Sequence, residues 1–200
     1  GCGKSTIAKM VLGFNMPKSG QCLIDGQEIR SLDLDNLRQN IGVVLQDSFI
    51  FSGTVAQNIA FGDPEPDMQV VKEAAESVGA DEFIINYPVG YQTLIGEKGM
   101  GISGGQRQRI CIARALYRKP TIMIFDEATS ALDNETQAKV SKSLDNLKVT
   151  RVVIAHRLST IINADRIFVI DKGRLVQEGS YDELIKQEGL FAELAKRQIA

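Results

Sequence analysis

Apolar positions along the chain recur with two spacings, about 3.6 residues in some segments and about 2 in others, and the two kinds of segment alternate. Residues 4–12 read as a helix opening directly from a glycine-bearing turn. Residues 22–27 read as a short strand that ends in a turn, and 41–45 as a buried strand. Over residues 67–78, Val70, Val71, Ala74, Ala75 and Val78 share one helical face, and the stretch from about 54 to 94 is mostly helical. A second round follows, with a helix near 104–117, a strand over 122–125, a helix near 135–147 and a strand over 151–155. Segments 166–170 and 174–178 flank Asp171-Lys172-Gly173, a hairpin signature. An amphipathic helix from Asp182 onward closes the chain as a packed cap, with Leu184, Ile185, Leu190, Phe191 and Leu194 as its apolar residues. The alternation predicts an α/β domain. No repeat or Pro/Gly-rich linker interrupts it, so the expected division is an α/β core of residues 1–53 and 119–200 with a helical subdomain, 54–118, set into it.

Composition narrows this only slightly. Two hundred residues, 44% hydrophobic and 24% charged, suffice for one domain with a sizeable core. The formal net charge of −2 gives no global reason to expect a nucleic-acid partner. No apolar run approaches the roughly 20 residues of a membrane span, and no leader is visible. Cys2, Cys22 and Cys111 are odd in number and far apart, which argues against a disulfide scaffold or zinc site and for a reducing compartment. Cys111 reads as core.

Three short stretches carry chemistry. Gly3, Lys4 and Ser5, within Gly1-Cys2-Gly3-Lys4-Ser5-Thr6, supply the last three defined positions of the phosphate-binding pattern G-x-x-x-x-G-K-[ST], whose opening glycine falls before residue 1. Glycines let backbone N–H groups close around phosphate oxygens, and the helix that follows turns its positive end toward them. Lys4 would reach the β- and γ-phosphates and Ser5 would ligate Mg²⁺. By itself the stretch also fits an ordinary glycine-rich helix start.

The apolar run Ile122-Met123-Ile124-Phe125 ends in Asp126-Glu127. Ligands of open α/β sheets gather at the carboxyl ends of strands, and adjacent strand residues face opposite ways, so these acids should not share one task. Asp126 suits the hydrated Mg²⁺ and Glu127 the attacking water, as general base or orienting group; solvated loop acids are the plain alternative. The third stretch is Ser103-Gly104-Gly105-Gln106. Ser103 and Gln106 have capping-box spacing, which a plain helix start would explain. Two glycines in a first turn nonetheless cost up to about 1 kcal/mol each, and close approach of a phosphate would justify that cost. One nucleotide cannot obviously occupy two helix starts so far apart in sequence, and a dimer completing each site in trans resolves the conflict.

Together these residues resemble the nucleotide-binding domains of ABC ATPases. Ile102-Ser103-Gly104-Gly105-Gln106 looks like the family's signature motif, with Ile102 where leucine is usual and expected to pack inward. The opening residues look like the end of Walker A, and 122–127 like Walker B with its catalytic glutamate. Ser130-Ala131-Leu132-Asp133 resembles the D-loop, His156 the switch histidine that contacts the γ-phosphate, and Gln46 the Q-loop glutamine that senses Mg²⁺ and the attacking water. Alone, Gln46 is an ordinary polar strand exit and His156 a structural histidine; in family order across residues 1 to about 190 they become specific. Residues 93–99, with Glu97, resemble the exporter X-loop that touches membrane-domain coupling helices, and residues 49–59 the exporter Q-loop region.

The resemblance implies a P-loop NTPase (RecA-like) core with a signature-bearing helical subdomain, whose first strands and adenine-stacking aromatic lie before residue 1. These 200 residues alone are therefore expected to bind ATP poorly. The implied catalytic residues are Glu127, His156 and Gln46, and Mg²⁺ would fall to Ser5, Gln46 and Asp126. The implied nucleotide-binding residues are Gly1, Cys2, Gly3, Lys4, Ser5 and Thr6 from one subunit and Ser103, Gly104, Gly105 and Gln106 from the other, with Asp133 linking the two sites. The implied activity is MgATP hydrolysis in a head-to-tail dimer that powers an exporter. Its membrane helices would be fused upstream and place this domain at the cytoplasmic face of the cell (inner) membrane, with no nucleic-acid partner. A soluble ABC ATPase of DNA repair or translation, or a regulatory module without turnover, is the alternative class.

Overall fold

The computed structural model describes residues 2–45, 49–96, 101–126, 132–147, 149–155 and 158–199. The chain forms two compact units, one of residues 1–32 and 153–200 and one of residues 33–152.

The first unit opens with helix α1 (Lys4–Val11), followed by strands β1 (Leu23–Ile24) and β2 (Gln27–Glu28). The single strand expected over 22–27 is instead this small antiparallel hairpin, because Asp25 and Gly26 both take left-handed backbone angles and reverse the chain.

The second unit begins with α2 (Leu34–Gln39), which the hydrophobic pattern does not reveal; the Asp33 carboxylate starts it by accepting from the N–H groups of Asp35 and Asn36. Next come β3 (Ile41–Val44), β4 (Gly53–Thr54), α3 (Val55–Ile59), α4 (Met68–Glu76), α5 (Asp81–Ile84) and β5 (Leu94–Ile95), the last paired with β4. After them run α6 (Gly104–Tyr117), β6 (Ile122–Asp126) and α7 (Asn134–Asp145). The unit ends within β7 (Thr150–Ile154). Its sheet has the order β3-β6-β7, with β3 and β6 parallel and Val44 opposite Phe125.

Met123 of β6, Ile110 and Ile112 of α6 and Ile59 of α3 are fully buried and join one hydrophobic core; Ile124 of β6 is fully buried as well. Of the face expected on α4, Val71, Ala74 and Ala75 are buried, with Val78 just beyond the helix, and Val70 packs against them half-buried. Tyr117 ties α6 to α4: its hydroxyl donates to Asp63 at 2.7 Å and accepts from the N–H of Asp67, the cap of α4, at 3.1 Å.

The first unit resumes with the expected hairpin, β8 (Ile167–Asp171) and β9 (Arg174–Gly179), turning at Lys172-Gly173. Its inner residues Ile167 and Val169 bury against Leu184 and Phe191. The expected closing helix is two helices, α8 (Tyr181–Leu184) and α9 (Leu190–Ile199). Gly189 sits at φ 155°, outside helical backbone, and Gln177 of β9 accepts the N–H of Phe191 at 2.9 Å, so the strand's side chain restarts the helix. Leu194, expected to pack, is instead 41% exposed. Among the described residues no helix is long and apolar enough to cross a membrane.

Candidate functional site

The chemistry-bearing residues fall in both units. In the first, Gly3 is the N-cap of α1 and takes φ 102°, a left-handed angle natural for glycine. A Cβ built there meets no heavy atom within 4 Å, so conformation rather than crowding calls for glycine. No side chain caps α1, and its first turn holds no acid. Among the described α-helices this combination is found at α1 alone. Side chains cap α2, α3, α4, α6, α7 and α8, while α5, which has no side-chain cap, and α9 carry acids in their first turns. The start of α1 therefore presents partial positive charge that nothing in its own turn answers, the condition that favours a bound anion.

Lys4 is half-buried, and its Nζ donates to Cys2 Sγ at 3.3 Å, while Ser5 and Thr6 are exposed. That hydrogen bond holds the Cys2 thiol below its ordinary pKa. Gly1, the first residue of the motif, lies outside the described residues.

In the second unit, Asp126 ends β6 half-buried, at the carboxyl edge of the parallel pair. The register sets Val44, the last residue of β3, opposite Phe125, the residue before Asp126. Gln46, Glu127, Ser130, Ala131, His156 and the X-loop residue Glu97 lie outside the described residues. The strand expected to deliver His156 is β7, which ends at Ile154.

The signature segment forms the capping box its spacing predicts. Ser103 Oγ accepts from the N–H of Gln106 at 3.2 Å, and Gln106 Oε1 accepts from the N–H of Ser103 at 2.9 Å. Ser103 and Gly104 are exposed, Gly105 and Gln106 half-buried, and Ile102 packs against the core as expected. A hydroxyl that accepts can still donate, so the cap leaves Ser103 able to meet a phosphate oxygen.

Asp133 has a local role that the sequence reading missed. It caps α7, accepting from Thr136 N–H at 2.9 Å and from Thr136 Oγ1 at 2.7 Å, and these bonds lower its pKa. Asp133 with Thr136 three positions on was the available signal. Cys111 is buried in the core, as read from its place on the helix.

In the first unit an uncapped helix start after a left-handed glycine, with a lysine and a serine hydroxyl in its first turn, suits a phosphate; in the second, separately, the carboxylate that ends β6 is of a kind that suits a magnesium ion.

A family model described as ABC transporter matches residues 1–130. The chain is 48% identical over 202 residues to the ATP-dependent lipid A-core flippase of Saccharophagus degradans, covering all of this chain and 34% of that protein. It is 47% identical to the leukotoxin export ATP-binding protein LtxB of Aggregatibacter actinomycetemcomitans, again over its whole length and 29% of that protein. A solved structure of a bacterial Atm1-family ABC exporter with ATP bound superposes with a TM-score of 0.94 at 43% identity, covering 99% of this chain and 35% of that one. The chain thus spans about a third of the length of the curated relatives it matches.

Proposed function

The chain belongs to the ABC transporter family, and we propose that it is the ATP-binding and ATP-hydrolysing domain of an exporter. The observation that carries the nucleotide reading is the start of α1, the described α-helix start with neither a side-chain cap nor an acid of its own. Exporter function is supported by relatives whose names are a flippase and a toxin-export protein, aligned along the entire chain.

In this reading Lys4 and the N–H groups after Gly3 bind the phosphates, and Ser5, Gln46 and Asp126 hold Mg²⁺. The bound metal ion neutralises charge that builds on the phosphate oxygens. Glu127 orients the attacking water and takes its proton, and His156 contacts the γ-phosphate. Ser103, Gly104, Gly105 and Gln106 serve the nucleotide of a second domain in a head-to-tail dimer, and Asp133 relays between the two sites. Residues 54–118 form the signature-bearing subdomain on a core of 1–53 and 119–200. Membrane helices fused upstream convert closure and reopening of the dimer into transport, with this domain at the cytoplasmic face of the cell membrane.

The test is Glu127→Gln in the full-length protein. MgATP binding is expected to persist while phosphate release falls at least about 100-fold, as for loss of a positioned general base. Unchanged hydrolysis would remove Glu127 from the catalytic role.

A further inference from the structure

Arg114 lies about three turns along α6 from Ser103 and has no part in the chemistry above. Its guanidinium makes three donations into one stretch of chain. Nε bonds the carbonyl oxygen of Asn58 at 2.7 Å, Nη1 the carbonyl oxygen of Phe49 at 2.8 Å, and Nη2 the side-chain Oδ1 of Asn58 at 2.9 Å.

Asn58 of α3 is 1% exposed, and its amide is committed to the same stretch. Oδ1 also accepts from the N–H of Phe51 at 2.9 Å, and Nδ2 donates to the carbonyls of Phe51 at 2.9 Å and Thr54 at 3.1 Å. The Phe51 and Phe61 rings, stacked 4.1 Å apart, lie 5.1 and 5.5 Å from the guanidinium carbon. Outside this bonded centre the segment is open: Phe49 is 54% exposed and Phe61 48%.

A guanidinium is a rigid planar fork, so three bonds to one segment fix orientation as well as distance. Desolvating such a cation is costly, and bonds to two carbonyls and to the amide of the buried Asn58, already satisfied on its other sides, offset that cost.

We propose that Arg114, with Asn58, is a positioning residue: it locks segment 49–51 and α3 to α6, so that the exposed phenylalanines and the Ser103 end of the helix move as one body. Displacement at the phenylalanine face is then carried to the signature residues without loss in a flexible joint. The inference rests on the ATPase reading, because its effect is read in turnover.

The test compares wild type, Arg114→Ala and Arg114→Lys in the full-length protein, by steady-state ATP hydrolysis and by amide hydrogen exchange. In Arg114→Ala, kcat is expected to fall roughly tenfold while KM for ATP stays within about twofold, since the network does not include Lys4 or Ser5. Peptides spanning 49–58 should exchange faster, the Phe51 N–H among them, while peptides of β6 keep their protection. Arg114→Lys keeps the charge and the aliphatic stem but not the fork, and is expected to recover turnover only in part, to within about threefold of wild type. Full recovery by lysine would overturn the proposal, because charge alone would then suffice. Wild-type kcat in both variants would overturn it too, as would a rise in KM that accounts for the whole loss. If Arg114→Ala does not fold, Arg114→Lys decides by the same readings. Failure of the ATPase reading looks different, since wild type itself would then lack turnover.

Discussion

Helices α1, after Gly3, and α6, at Gly104-Gly105, both begin at glycines, and they solve the same problem in opposite ways. Both have a first turn without acids, and both therefore offer N–H groups and a positive end. At α6 the chain supplies its own answer, the reciprocal Ser103–Gln106 box, so that end holds its shape with no ligand. At α1 it supplies none: the cap is a left-handed glycine with no side chain. The comparison separates a surface built in advance, suited to being presented to a partner, from a start that a bound anion would complete.

Ser103→Asp breaks this comparison most sharply. Aspartate caps a helix about as well as serine, so thermal stability should stay within about 0.5 kcal/mol of wild type. It also places a negative charge where a phosphate is expected to arrive, and turnover should fall roughly 100-fold, the scale of losing a positioned donor. Retained turnover with retained stability would limit Ser103 to its capping role. Thermal melting and phosphate release, measured on the same full-length preparation, read both outcomes.

Gly3→Ala comes next. Space is open at the Cβ, so the penalty is the left-handed angle alone, about 1–2 kcal/mol. If the start of α1 takes that angle to meet an anion, MgATP affinity should weaken about tenfold, the lower part of that range or more. A nucleotide titration followed by the shift in melting temperature would show it, and unchanged affinity would detach the angle from binding.

The smallest effect concerns α7, a third helix start, which its own carboxylate answers. Asp133 has a folded-state pKa below its usual value near 3.8, owing first to the Thr136 N–H. A depressed carboxyl stabilises the fold above its unfolded pKa and loses that contribution as pH falls through the folded value. Asp133→Asn should therefore flatten the decline of stability below about pH 4 and leave the shape of the profile near pH 7 unaltered. Acid titrations of melting temperature that superpose for the two proteins would contradict the capping role.

Much of this was legible because it is local. The Ser103–Gln106 spacing, the apolar run into Asp126 and the hairpin at Lys172-Gly173 each depend on residues a few positions apart, and the structure contains all three. Where reading failed, the missing partner was elsewhere or the signal was not apolar. Helix α2 begins at a polar cap rather than a hydrophobic stripe. The closing helix breaks where a glutamine from a neighbouring strand takes over its first N–H.

What the sequence determined by itself is most of the order of elements and the residues proposed to bind phosphate, hold the metal and form the signature, since periodicity, caps and glycine placement act over one or two turns of chain. Only the tertiary structure decided that the start of α1 has nothing of its own to satisfy it, and that Arg114 reaches back 56 residues to Asn58 and 65 to Phe49. No local pattern encodes those bonds. They exist because packing α6 against α3 buries Asn58, whose carbonyl and amide oxygens need donors, and an arginine on the facing helix is the group that arrives.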